Sequence, residues 1–251
     1  MSLITIAPCE ELSDFVSHFW AAAWTVQSLE ASSTYYMTAN SLTEIAFAFR
    51  GSDLVFSSVQ GHTHRHGQFP AGGFYRMFGV SLYSHSIPFL FHMPASELNG
   101  HFFSLETLLG TDGKTLVEKI ALARSTPDRI RILSDHFVSQ LRKQRIGDSL
   151  IKQATQFIRQ RQGNVNIEAL SDHFCLSQKQ FERRFKAASG FNPKLFSRIV
   201  RFETVLNNYS NYTNLTEAAY ATGYYDQAHF INDFKTFAGY SPNKFLALSG
   251  Y

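Results

Sequence analysis

A pattern of Phe-x3-Phe-Lys-x3-Gly-x2-Pro occurs twice in this chain. It runs through Phe181, Phe185, Lys186, Gly190 and Pro193, and recurs 49 residues later at every position as Phe230, Phe234, Lys235, Gly239 and Pro242. A fixed-period repeat constrains architecture more tightly than any local propensity. Aromatic residues at i and i+4 project from one side of a helix, so each pair predicts a short helix with its rings in a core and its other side chains outward. The glycine suits a left-handed helix C-terminus, and the proline three residues on suits the first turn of the next helix. One helical unit is therefore expected twice.

Upstream of each pair the sequence predicts a supporting helix and a tight turn, which completes a helix-turn-helix. In the first unit Ile167 to Phe174 is the supporting helix, Cys175 and Leu176 are the turn, and Ser177 caps a recognition helix running to Ala187. In the second, Leu215 to Thr222 leads to Gly223 at the turn, with Tyr224 as an apolar plug and Asp226 capping a helix through Thr236. The motifs thus cover about 167–187 and 215–236. Between them Phe196, Ile199, Val200, Phe202, Val205 and Leu206 form a helical stripe, read as a linker helix.

A chain of 251 residues has room for two domains, and 44% hydrophobic against 17% charged residues is globular composition. Up to about residue 105 short apolar bursts are cut by Gly, Pro, Ser and Asn, the punctuation of a β-rich domain. Residues 44–50 and 54–56 around Gly51-Ser52-Asp53 predict a hairpin, and 76–83 another strand. Leu105, Leu108, Leu109, Leu116, Ile120 and Leu122, then Ile130, Leu133, Phe137 and Leu141, suit closing helices beginning after Thr111 and Pro127. The basic stretch Arg142 to Gly147 reads as a junction, with Asp148 or Ser149 capping the next helix. The expected fold is α+β: a β-rich domain at 1–147 with closing helices, then an all-α domain at 148–251. Residues 1–147 hold 11 Lys and Arg against 12 Asp and Glu, whereas 148–251 hold 12 against 8. That modest basic excess does not by itself decide for nucleic acid. No apolar run reaches membrane-spanning length and the start lacks a signal peptide's basic and apolar regions, so the chain is expected in the cytoplasm. Cys9 and Cys175 are read as buried or half-buried thiols.

The stretches ALSDHFCLSQKQFERRFKAASGFNP (169–193) and AAYATGYYDQAHFINDFKTFAGYSP (218–242) resemble, in both copies and in order, the DNA-binding domain of AraC/XylS-family bacterial transcription regulators. The resemblance implies two recognition helices held by one central helix toward successive major grooves, about 34 Å apart on one face of DNA. It implies double-stranded DNA as the partner and gives DNA-binding positions. In the first motif these are Gln178, Lys179, Gln180, Glu182, Arg183 and Lys186; in the second, Gln227, Ala228, His229, Asn232 and Lys235. Arg183 is the leading base reader, since Arg pairs bidentately with guanine and Glu182 can accept from cytosine. Asn232 stands where the family commonly has Arg, and Asp233 is read as a negative charge beside it, so the first motif is expected to carry most specificity. Lys186, Arg184, Lys194, Arg198, Arg201, Lys235 and Lys244 are candidates for phosphate contact or for solubility.

The first domain resembles less specifically a module often joined to this DNA-binding domain, through residues 39–47, 78–82 and 105–110. That resemblance admits a small-molecule effector, a homodimer contact and RNA polymerase as further partners. An alternative is a regulator without effector whose first domain only oligomerises. A third reading rests on His62, His64 and His66, which would share one face of a strand as zinc or copper ligands do, against an exposed polar loop as the plainer reading. The sequence carries no phosphate loop, nucleophile elbow or His-Glu-x-x-His motif. A non-enzyme without cofactor or metal is expected.

Overall fold

The computed structural model describes residues 2–23, 34–70, 76–143, 148–208, 211–212 and 214–249. Eight strands precede most of the helices: β1 Ser2–Ile6, β2 Val16–Ala23, β3 Thr34–Met37, β4 Leu42–Arg50, β5 Asp53–Gln60, β6 Gly67–Pro70, β7 Arg76–Tyr83 and β8 Phe102–Phe103. Six form an antiparallel sheet in the order β1-β2-β7-β4-β5-β8, and β3 pairs with β6 in a second, two-stranded sheet. The expected hairpin is β4 and β5, turning at Gly51, whose φ of 64° needs no side chain there. Alternation gives the large sheet two unlike faces. Phe19, Ile45, Phe47, Val59, Phe78, Val80 and Leu82 form one face, buried beneath α1 Ile87–Phe91, α2 Leu105–Leu109, α3 Thr111–Leu122 and α4 Thr126–Lys143. These are the closing helices, although Leu122 leaves the predicted stripe and is 82% exposed. The opposite face carries Trp20, Glu44, Gly79 and Ser81, brought side by side by the registers of β2, β7 and β4.

The helical domain comprises α5 Ser149–Gln160, α6 Ile167–His173, α7 Gln178–Ser189, α8 Pro193–Asn208, α9 Leu215–Ala221, α10 Gln227–Ala238 and α11 Pro242–Ser249. Its core is one aromatic-rich cluster in which the two Phe pairs occupy equivalent places: the rings of Phe181 and Phe185 are 5.7 Å apart and those of Phe230 and Phe234 5.6 Å. Each pair meets the central helix α8, Phe185 against Phe196 and Phe234 against Phe202. Burying four such rings anchors both recognition helices to α8, each ring contributing roughly 1.5–3 kcal/mol. Tyr224 is buried as the expected plug. Residues 144–147 of the expected junction lie outside the described residues, while Arg142 and Lys143 belong to α4.

A glycine outside any of the sequence motifs fixes how α5 meets α8. Gly163 has φ 77°, and a Cβ there would stand 2.1 Å from the Ser197 carbonyl oxygen and 2.8 Å from the Arg201 amide nitrogen. Both are backbone atoms of a packed helix and cannot rotate aside. Gly163→Ala is therefore expected to combine left-handed strain with separation of two helices. A cost of about 2 kcal/mol or more should lower the melting temperature by roughly 5 °C, and an unchanged melting curve would refute this packing.

Candidate nucleic-acid interface

The two recognition helices are α7 and α10, and local chemistry explains where both begin and end. Ser177 accepts from the Gln180 amide while Gln180 returns a bond to the Ser177 amide, a reciprocal capping box that starts α7. Asp226 accepts from the His229 amide at 2.7 Å and starts α10. Gly190 and Gly239, at φ 78° and 79°, end them in the left-handed conformation. Both helices extend a turn's fraction beyond the expected ends, to Ser189 and Ala238.

On α7 the structure leaves Gln178, Lys179, Gln180, Arg183 and Lys186 exposed and Glu182 half-buried. Gln180 spends its carbonyl oxygen on the cap, and Gln178 donates to Glu182 at 2.9 Å. Lys179, Arg183 and Lys186 make no side-chain hydrogen bond or ion pair among the described residues, Lys186 standing near His64. On α10, Gln227, Ala228, Asn232 and Lys235 are exposed and His229 is half-buried against Tyr224. The N-terminal turns of both helices face outward, each closed by its own side-chain cap.

The charge pattern differs from the expected one at Asp233, and three arginines make contacts within the fold. Asp233 does not lie beside Asn232 on the outward face: its side chain is 2% exposed and takes a bidentate pair from Arg198 at 2.6 and 3.3 Å. That pair also raises the Arg198 guanidinium and ties it to the fold. Arg184 pairs with Asp148 at 2.7 Å and Arg201 donates to the Gly163 carbonyl at 3.1 Å, so they too are committed within the fold. Asp148 consequently precedes α5 without a side-chain capping bond. Lys186, Lys194, Lys235 and Lys244 remain exposed, the last over the Tyr240 ring. Cys9 and Cys175 are both exposed, contrary to the expected burial, because each sits at a helix boundary rather than on an apolar face. Sequence spacing cannot see these pairings, since their partners lie 35 to 38 residues away.

The β domain docks on the helical domain through a polar interface that no motif announced. Ser41, at the entrance to β4, gives its amide and hydroxyl to the Glu203 carboxylate of α8 at 2.7 and 2.6 Å, and its hydroxyl oxygen accepts from Arg159 of α5 at 2.6 Å. Asp14 meets Lys152 and Gln156, and His85 meets Thr155 at 2.8 Å. The histidine segment also lies here. His62 is buried, with its ring 4.5 Å from that of Phe191, and His64 is half-buried 5.0 Å from the same ring. His62 and His64 therefore do not form an exposed polar loop but pack between the domains, whereas Arg65 and His66 are exposed as that reading expected. Among the described residues no three His, Cys, Asp or Glu side chains converge to hold a metal ion.

Ser41 neighbours a second cluster on the far face of the sheet. Glu44 there accepts from Trp20 Nε1 at 3.0 Å and from the Ser81 hydroxyl at 2.8 Å, with the Asn40 amide at 3.4 Å. Burial pushes its carboxyl up, against the pull of those donors, and Glu203 adds to the rise. Trp20 lies across Gly79, where a Cβ would come within 2.3 Å of the indole.

Two helix-turn-helix units sharing one central helix, each presenting the bare N-terminal half of its second helix, define a DNA-binding transcription regulator. A family model described as a helix-turn-helix domain matches residues 170–247, and one described as a domain of unknown function (DUF6597) matches residues 4–104. No curated protein matches the chain. Among solved structures, ToxT of Vibrio cholerae O395 superposes with a TM-score of 0.48 at 13% identity, over 93% of this chain and 99% of that one. Unsaturated fatty acid bound wild-type ToxT from Vibrio cholerae strain SCE256 gives 0.49 at 10% identity, over 93% and 96%. The C-terminal part of the chain is a helix-turn-helix domain. No helix among the described residues is long and apolar enough to cross a membrane.

Proposed function

We propose that one protomer reads a bipartite DNA site in the cytoplasm, α7 and α10 entering successive major grooves, and that the β domain controls this reading. The observation that carries the proposal is the pair of equivalent helices with exposed N-terminal halves on a shared helix. Lys179, Arg183 and Lys186 give α7 a cationic face, whereas α10 offers the neutral Asn232 and the single cation Lys235. Arg183 is the principal base reader, with Lys179, Gln178, Gln180 and Glu182 around it. In the second motif Gln227 and Asn232 suit adenine, with Ala228 and His229 beside them. Lys186 and Lys235 take phosphates.

Site selection from a random duplex library, followed by affinity against salt for the winner and for a scrambled duplex, tests this. Two sequence blocks about one helical turn apart are expected, with specific binding several hundredfold above scrambled. On the selected duplex Arg183→Ala should lose roughly 1–3 kcal/mol, about 5- to 150-fold, and Asn232→Ala less. A larger loss from Asn232→Ala would overturn the ordering of the motifs, and absence of any selected motif would overturn the proposal itself.

Control by the β domain is supported by the hydrogen-bonded connection from Trp20, Ser81 and Glu44 through the adjoining Asn40 and Ser41 to Glu203 on α8. A small molecule displacing the donors of Glu44 would disturb the helix that holds both DNA-reading units. A β domain that serves only dimerisation predicts the opposite: Ser41→Ala would leave DNA affinity unaltered.

A further inference from the structure

The left-handed glycines that end α7 and α10 are equivalent landmarks created by the repeat, and one short piece of the β domain touches both. A Cβ at Gly190 would stand 1.9 Å from His62 Nε2 and 2.7 Å from Asn99 Oδ1. A Cβ at Gly239 would stand 2.5 Å from His66 Cδ2. The glycines are thus required by backbone angle and also by what lies on them: an imidazole from the same segment, four residues apart, seats on each. Hydrogen bonds reinforce both contacts. The Asn99 side-chain amide donates to the Gly190 carbonyl at 2.7 Å, and the Ala39 amide donates to the Phe237 carbonyl at 2.8 Å.

These anchors belong to one local structure. The Asn40 amide donates to the Thr63 carbonyl at 3.1 Å, and the Thr63 hydroxyl donates to the Thr38 carbonyl at 3.2 Å, joining the segment 61–66 to residues 38–40. His62 is held from within the β domain by Thr43 at 3.0 Å, and Gly100 donates to its carbonyl at 3.3 Å. Neither end of the piece can move without the other. It engages only the C-terminal ends of α7 and α10, so the exposed N-terminal halves stay free for DNA.

We propose that this segment is a two-point clamp whose His62 and His66 fix the mutual placement of the two recognition helices and so set the half-site spacing the protein accepts. The inference rests on the bipartite reading proposed above. One inserted base pair moves the second groove by about 3.4 Å and rotates it by about 34° around the duplex. A pair of recognition helices joined only through α8 can follow part of that change by tilting. A pair also pinned at both C-terminal caps cannot. Pinning likewise lowers the ordering cost of binding at the one spacing it matches. His62 and His66 are positioning residues in this scheme, since neither reaches the DNA-reading ends.

The test uses the full chain and the best selected duplex, with its spacer lengthened or shortened by one and two base pairs. Wild-type protein should lose about tenfold or more per base pair of change. His66→Ala, and Asn99→Ala at the other anchor, should bind the optimal spacer a few-fold more weakly yet lose less than about threefold per base pair. His66→Phe, which retains a flat ring over Gly239, should recover the wild-type profile. Both alanine sites leave the buried His62 in place, so circular dichroism should show unchanged folding. If wild type prefers one spacing and the variants' profiles superimpose on it, the clamp is wrong while the bipartite reading stands. If wild type binds selected and scrambled duplexes alike, that reading fails and the clamp falls with it.

Discussion

Arg198→Ala is expected to destabilise the protein by about 3 kcal/mol or more, the range measured when one partner of a buried ion pair is removed. The Asp233 carboxylate has 2% of its side chain exposed and lies under α10, whereas the Arg198 side chain keeps 36% exposure. Deleting the cation leaves a charge with no solvent to receive it, and the half-buried His229, 3.7 Å away, is a weak substitute. The reverse deletion is milder: in Asp233→Asn the guanidinium retains water and the Phe237 ring 5.4 Å beneath it, so about 1 kcal/mol is expected. This asymmetry follows from the unequal burial of the partners. Arg198→Met combined with Asp233→Leu should recover most of the loss, because a matched apolar pair removes both desolvation costs. Chemical denaturation of the four proteins measures all of this. The same set decides what Arg198 does on DNA. Were it a phosphate contact, Arg198→Ala would leave stability alone and reduce the salt slope of binding by about one. The ion pair predicts lost stability, with the reading of the second half-site weakened through displacement of α10.

The helical domain was legible in sequence because its signals are local. Phe181/Phe185 and Phe230/Phe234 lie one helical turn apart, Ser177 and Asp226 cap within three residues, and Gly190 and Gly239 end what they start, so each decision needs only a dozen neighbours. The hairpin of β4 and β5 and strand β7 were legible for the same reason, whereas β1, β3, β6 and β8 carry weak patterns and exist through pairing with distant strands. Charge roles were the least legible. Arg183 and Arg184 are adjacent and chemically identical, yet one is bare and the other is bound to Asp148. Asp233 looked outward from its spacing, but a helix that packs on α8 through Phe234 and Phe237 carries Asp233 inward with them, and Arg198 is there to meet it. The histidine segment shows the same limit. Alternation puts His62, His64 and His66 on one strand face, but residues 61–66 form no strand and bury the three unequally, and whether the buried imidazole meets a metal, a core or another domain depends on Phe191 and Gly190, more than a hundred residues away. The polar docking surface of Ser41, Arg159 and Glu203 has no sequence signature for that reason.

Mild acid is expected to weaken the folded, docked protein by about 4 kcal/mol between pH 7 and pH 5, through His62 and His85 together. Burial pushes His62 down to about 3 and His85 down to about 4, from an ordinary value of 6.5. Between 6.5 and those values the unfolded chain binds a proton at each ring and the folded chain does not. Stability therefore falls as the pH falls through that window, by about 1.4 kcal/mol per pH unit for each histidine, or about 2 kcal/mol each at pH 5. The groups facing them bear out the direction. Burial dominates at His62, which looks onto His64 with Lys186 beyond it, and outweighs the opposing bond to the Ala95 backbone. His85 stands between Lys152 and Arg159 on one side and the Asp14 carbonyl and carboxylate on the other, and burial outweighs that attraction. Its ring donates to the Asp14 carbonyl at 2.8 Å, and the Thr155 hydroxyl can turn toward the Lys152 carbonyl, so the acid cost at His85 is that of burying charge rather than of losing a bond. His18, His64 and His136 shift in the same direction, Asp14 loses its contribution only below the carboxylate range, and Glu44, raised by burial, opposes the trend as it takes up its proton. The histidine variants are consequently a better readout than the absolute slope. Denaturation midpoints at pH 7, 6 and 5 should flatten by about half in His85→Gln, and a wild-type stability constant across that range would show that the interface admits protonated imidazole. Because both rings lie where the β domain meets the DNA-reading helices, the first acid transition should be separation of the two domains, visible as a loosened spacer preference at a pH where the far-ultraviolet dichroism is still unchanged.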